Sequence, residues 1–262
     1  MKIRNLAVAL AATAAVGLFT ASTAAAAAPA RDTPKPTIVL LHGAFEDASA
    51  WSGVTQRLQH DGYPVIAPAV GLRGVATDTD QLKGVVDAIK GPKVLVSHSY
   101  GGMLVNGLAT TPDVKALVYV NAFIPQPGES AGQLNSQFPG SLLGPTTSHT
   151  VDSPAGPELY VNADSFREVF AGDVPAATAA VAAAQQRPIL AAAFDDKATA
   201  ALPGSIRKYA LISTDDKAIP TAAKVFMAKR VGATITEVAG SHAVAASNPK
   251  VVADEIEKAA RS

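Results

Sequence analysis

The 262-residue chain contains no cysteine, little charge and few aromatic side chains. The missing cysteine excludes disulfide scaffolds, thiolate zinc sites, iron–sulfur clusters and cysteine nucleophiles together. Charged side chains make up 17% of the residues and balance at 22 basic against 22 acidic, so no basic surplus exists to hold a nucleic acid. Aromatics stand at 5% while 48% of residues are apolar, so alanine and aliphatic side chains carry the hydrophobic content. A chain of this length can bury a core without disulfide or metal staples. It also lacks an internal repeat, a phosphate loop, a dinucleotide fingerprint and an HExxH metal helix.

The N-terminus joins a cationic head (Lys2, Arg4), an apolar stretch Leu6–Phe19 and a run of small residues with overlapping A-x-A triplets up to Ala30. That order is the pattern of a secretory signal, and the apolar stretch is shorter than the ~20 residues a membrane span needs. The expectation is a leader over residues 1–28, an extended segment over 29–36 and one domain over 37–262. Removal of the leader takes Lys2 and Arg4 with it, leaving a slightly acidic, exported chain with no membrane anchor.

From Thr37 onward, short β-rich runs alternate with alanine-rich stretches of helical spacing. The runs are Thr37–Leu41, Pro64–Pro68, Lys93–Ser97, Lys115–Val120, Lys208–Ser213 and Ala233–Val238. They are continuously apolar, which suits strands buried on both faces of a parallel sheet. Helices are expected at Ala48–Gln59, Thr77–Ile89, Gly101–Thr110, Thr221–Val231 and Pro249–Ala260. Strand–helix alternation of this kind predicts an open α/β sheet with helices on both faces. Between about Ile124 and Phe194 no strand is evident, and a helical cap insertion is expected there. Asp173 reads as a helix N-cap, Pro175 as a first-turn residue and Pro188 as a stop.

Four positions carry the chemistry. In KVLVSHSYGGMLV a buried-type strand runs into Ser99 and then a helix, the layout of a nucleophile elbow, with Ser97 in place of the usual first glycine and Gly101 as the second. In TIVLLHGAF the loop after the first strand would supply one backbone N–H of an oxyanion hole, from Ala44, and the residue after the nucleophile, Tyr100, the other. Gly43 lets backbone approach a substrate. His242 sits between the last strand and last helix, where a general base can reach the elbow. His42 is tied to the oxyanion loop, His98 points away from the hydroxyl, and His60 and His149 lie elsewhere. Asp215 and Asp216 follow the penultimate strand, and by composition either could orient the imidazole. The chain order Ser, Asp, His is the α/β-hydrolase order.

These segments resemble the α/β-hydrolases. The closest likeness is to the branch holding plant methyl esterases and hydroxynitrile lyases with their bacterial esterase-like relatives. The matching stretches are LLHGAFEDASAW, VSHSYGGMLV, LVYVNAFIPQPGES, AAQQRPILAAAF, ISTDDKAIP and AGSHAV. The resemblance implies a six-stranded, mostly parallel sheet with a helical cap, no cofactor, and a triad of Ser99, Asp216 and His242. Asp216 is chosen because it precedes Lys217-Ala218-Ile219-Pro220, like the D-K-x-x-P stretch of those relatives. Lyases of the rubber-tree type carry a threonine and a lysine where this chain has Gly43 and Ala243, which disfavours that chemistry. The expectation is a secreted serine esterase acting on small or medium carboxylic esters. A cofactor-free lyase or perhydrolase, or a binding protein on the same scaffold, are the rival readings. Phe45 and Phe123, with Leu142, Leu143, Phe166 and Phe170, are the apolar candidates for lining the pocket.

Overall fold

The computed structural model describes residues 34–262. The leader expected over residues 1–28 and part of the extended segment therefore lie outside the described residues. Six parallel strands form the central sheet in the order β2-β1-β3-β4-β8-β9: β1 (Thr37–Leu41), β2 (Val65–Ile66), β3 (Lys93–Ser99), β4 (Val114–Ala122), β8 (Arg207–Ser213) and β9 (Thr234–Val238).

Continuous apolar runs make this possible because successive side chains leave opposite faces. Ile38 and Leu40 join Val94, Val96, Val118, Val120 and Leu211 in one core. Val39 and Leu41 join Leu95, Leu117, Tyr119, Ala210 and Ile212 in the other. Helices α1 (Ser52–His60) and α8 (Pro249–Ala260) contribute Val54, Leu58, Val252 and Ile256 to the first. Helices α2 (Val75–Ala88), α3 (Gly101–Leu108) and α7 (Thr221–Arg230) contribute Leu82, Val86, Leu104, Leu108 and Met227 to the second. Each such side chain, fully buried, contributes roughly 1.5–3 kcal/mol. Because the strands are parallel, their carboxyl ends share one edge, where the loops carrying chemistry gather.

Between β4 and β8 the chain makes its excursion over that edge. It carries the expected helices, α4 (Ala131–Ser136), α5 (Ala163–Phe170) and α6 (Ala176–Gln185). It also holds an antiparallel sheet that the sequence reading did not contain: β5 (Ser148–Ser153), β6 (Gly156–Val161) and β7 (Ile189–Leu190), in that order. Most of β5 faces solvent, so it shows no apolar alternation to mark it as a strand. Asp173 does not cap α6, whose N-cap is Pro175. Its carboxylate instead accepts from the Ser241 backbone N–H (3.1 Å), the Ser241 hydroxyl and the Ser247 hydroxyl (2.8 Å), fastening the cap to the loop after β9. Three donors on one carboxylate outweigh a single helix-capping bond.

Candidate active site

Ser99 is the last residue of β3 and takes a left-handed backbone, φ 51°, before α3 begins at Gly101. That conformation costs a non-glycine residue roughly 1–2 kcal/mol and lifts the side chain clear of the sheet edge. The turn is tight: a Cβ on Gly101 would lie 2.9 Å from the carbonyl oxygens of both Leu41 and His42. Ser97, two residues before the nucleophile, is fully buried, and its small side chain fits where the usual pattern has glycine.

The candidate base and acid are in contact. His242 Nδ1 lies 2.8 Å from Asp216 Oδ2, and both side chains are buried. A carboxylate can only accept, so Nδ1 carries the proton and Nε2 keeps its lone pair. Nε2 is buried and has no hydrogen-bond partner among the described residues. Burial opposes ionisation of Asp216, but the positive charges and hydrogen bonds of His242 and Lys224 outweigh it and hold the carboxyl well below the usual range. Its other oxygen accepts from the N–H groups of Ala218 (2.8 Å) and Ile219 (2.9 Å). Burial pushes His242 below the ordinary imidazole value against the pull of Asp216, and the charges of His98 and Lys224 push the same way as burial. Asp215 is exposed and accepts from the Thr214 hydroxyl and, at 3.4 Å, the Gly240 N–H, so it takes no part in this pair.

The two proposed oxyanion donors are both buried residues, and neither the Ala44 nor the Tyr100 N–H donates to another group among the described residues. Their neighbours are fixed. His42 Nε2 accepts from the Val70 N–H and its Nδ1–H donates to the Gly43 carbonyl, each at 2.9 Å. The Phe45 N–H donates to the Arg187 carbonyl of the cap (3.0 Å). The Tyr100 side chain is used elsewhere: its hydroxyl donates to Asp78 (3.0 Å), which with burial drives its pKa far up.

Three contributors escaped the sequence reading. Glu46, buried beside the oxyanion loop, accepts from the Gly43 N–H (2.6 Å) and pairs with His98 Nδ1 (2.5 Å). His98 Nε2 donates to the His242 carbonyl (2.9 Å), so His98 uses both nitrogens as donors and is an imidazolium. Its pKa is raised, because the Glu46 charge and hydrogen bond outweigh burial. Asn121, at the end of β4, has φ 43° and donates to the Ser213 hydroxyl and to the carbonyls of Ser241 and His242. Its oxygen accepts from the Ser213 N–H and from Lys224. Lys224, on the buried side of α7, also reaches Asp216 Oδ2 at 2.5 Å. The one signal for Asn121 was a polar residue closing an otherwise apolar run; a lysine in an amphipathic helix gave none.

Ser99 and His242 line one small cavity, together with Phe45, Phe123, Leu143 and Phe170. Gly43 does not line it. A Cβ there would sit 2.6 Å from Ser99 Cβ, so Gly43 packs behind the nucleophile, and its N–H is committed to Glu46. Two other expected lining residues also fall outside. Leu142 is 38% exposed, and Phe166 is buried in the core, stacked on Phe170.

A profile described as "Alpha/beta hydrolase family" matches residues 38–255. A carbendazim hydrolyzing esterase from a Nocardioides strain is 33% identical over 107 residues, 35% of this chain and 44% of that protein. A pyrethroid hydrolase from Sphingobium wenxiniae is 29% identical over 158 residues, 53% of this chain and 55% of that protein. The chain thus spans about half the length of these curated relatives. Polyneuridine aldehyde esterase superposes with a TM-score of 0.74 over 86% of this chain and 98% of that one, at 21% identity, which is a likeness of fold. Fold, elbow and chain order agree with the profile: the chain belongs to the α/β-hydrolase family.

Proposed function

We propose that this protein is a serine hydrolase of small or medium carboxylic esters, acting through an acyl-enzyme on Ser99. One observation carries the reading. Asp216 fixes the proton on His242 Nδ1, and the free Nε2 is buried at the cavity that Ser99 lines. The Ser99 hydroxyl adds to the ester carbonyl while its proton passes to His242 Nε2. The carbonyl oxygen becomes an oxyanion, for which the unpaired N–H groups of Ala44 and Tyr100 are the available donors. His242 then gives its proton to the departing alcohol oxygen, leaving an acyl group on Ser99. Water, deprotonated by His242, attacks that acyl carbon, and the acid leaves as Ser99 regains its proton. The names of the two curated relatives, an esterase and a hydrolase, support this class. No cation stands directly after the base, where Ala243 instead donates its N–H to the Phe170 carbonyl, so cyanide elimination is disfavoured.

A fluorophosphonate probe tests the nucleophile: native protein is labelled and Ser99→Ala is not. Hydrolysis of p-nitrophenyl esters without cyanide release from mandelonitrile separates esterase from lyase. An unlabelled native protein refutes the assignment. We further propose export after cleavage near Ala28, to be read by N-terminal sequencing of protein from the culture medium.

A further inference from the structure

The triad cavity lies next to a groove walled by the cap, and the two spaces share the lining residues Asn135, Leu143 and Phe194. Asn135, on α4, is the one polar residue of the three. Its orientation is fixed by a chain of hydrogen bonds. The Ser141 hydroxyl gives its only proton to the Ala218 carbonyl (2.8 Å). Ser141 Oγ is therefore an acceptor for its other neighbours, the Leu143 N–H (3.2 Å) and Asn135 Nδ2 (3.0 Å). Asn135 must place its nitrogen on Ser141, which leaves Oδ1 as the second polar atom of the amide. That oxygen is buried and has no partner among the described residues. An unpaired buried acceptor is costly, and a ligand donor relieves the cost.

Resting on the esterase reading above, we infer that Asn135 Oδ1 is a specificity contact. It accepts a hydrogen bond from a hydroxyl or N–H group carried by the substrate near its ester carbonyl. The preferred substrates are then esters with such a donor, with the bulkier part extending into the cap groove. A second groove shares Phe45 and Phe170 with the cavity, but neither Asn135 nor any triad residue lines it. The Asn135–Ser141–Ala218 chain ends two residues after Asp216, so this contact sits on the same scaffold as the catalytic acid.

Paired substrates test this: methyl 2-hydroxy- and 3-hydroxybutanoate, each against its methoxy counterpart. In the native enzyme at least one hydroxy ester should exceed its methoxy partner in kcat/KM by about tenfold, the worth of one net hydrogen bond. In Asn135→Leu that ratio should fall to near one, and a ratio is insensitive to a general loss of activity. Asn135→Ala removes the same acceptor with a smaller change and should also bring the ratio near one, which covers the case in which the leucine variant does not fold; a preference that survives it overturns the inference. Equal rates on both members of each pair in the native enzyme overturn the inference, as does a preference that survives Asn135→Leu. Failure of the native enzyme to cleave p-nitrophenyl acetate would instead refute the esterase reading itself.

Discussion

Replacing Lys224 with methionine should move the acid limb of the enzyme's pH profile to higher pH. Only neutral His242 can take the Ser99 proton, so kcat/KM rises as pH climbs through the His242 pKa. Lys224 Nζ and His242 Nδ1 bind the same oxygen of Asp216, at 2.5 and 2.8 Å. Their charges are therefore no more than about 5 Å apart, and at an effective dielectric near 20 the repulsion is about 3 kcal/mol, or about 2 pH units. Relaxation around the methionine trims this, so the expected shift is about 1–2 units upward in the acid limb of p-nitrophenyl acetate hydrolysis. Asp216 keeps the N–H groups of Ala218 and Ile219, so the histidine tautomer and the plateau chemistry survive. The variant should be less stable, by about 3–5 kcal/mol, because a buried carboxylate loses its cation. Melting curves on the plateau confirm that folded protein is being assayed. An acid limb that stays put, or moves to lower pH, refutes the argument that Lys224 holds down the basicity of His242.

Two further outcomes separate neighbouring residues. Asp216→Asn should cut kcat by roughly 10³–10⁴-fold through loss of the tautomer lock, while Asp215→Asn stays near native, and equal losses would undo the assignment of the acid. Glu46→Gln tests the buried pair with His98. The raised His98 pKa contributes stability that is complete below the unfolded value near 6.5 and fades as pH rises through the folded one. The Glu46 pKa is lowered, since the His98 charge and hydrogen bonds outweigh burial, so its share is present above about 4.5 and is lost on acidification. Glu46→Gln should therefore lower Tm more at pH 6 than at pH 9, and a pH-independent drop would show that His98 is not charged in the fold.

What could be read from the sequence was whatever depends on local pattern. The six strands and their helices follow from runs such as TIVLL and KVLVS, which report burial on two faces directly. Ser99 and His242 follow from their place between strand and helix. Asp216 needed more, because composition left it level with Asp215, and only the D-K-x-x-P likeness separated them. The structure adds the reason: Asp216 turns inward to His242, while Asp215 faces solvent. Side chains that act across the fold were illegible. Lys224 is 8 residues from Asp216, but Glu46 and His98 are 52 apart and Asn121 reaches residues 92–121 positions away. No window along the chain contains such a partner. The β5–β6 hairpin escaped for the opposite reason, since a strand wet on most of its surface carries no apolar signal.

Those long-range bonds also constrain how the cap could move around Ser99. The loop bearing His242 is gripped from three sides: by His98 and Asn121 from the sheet edge, by Asp173 through Ser241, and by the Phe170 carbonyl through the Ala243 N–H. The Phe170 ring meets His242 edge-on, with centroids 4.7 Å apart. Lifting α5 to admit an ester would break the Asp173 and Phe170 contacts and loosen the base in the same motion. A base must stay within reach of its nucleophile through both acylation and deacylation, so preorganisation favours leaving that side of the cap closed. Opening at the Asn135–Leu143–Phe194 side, where the cap groove and the cavity share their lining, would break none of these bonds to the His242 loop.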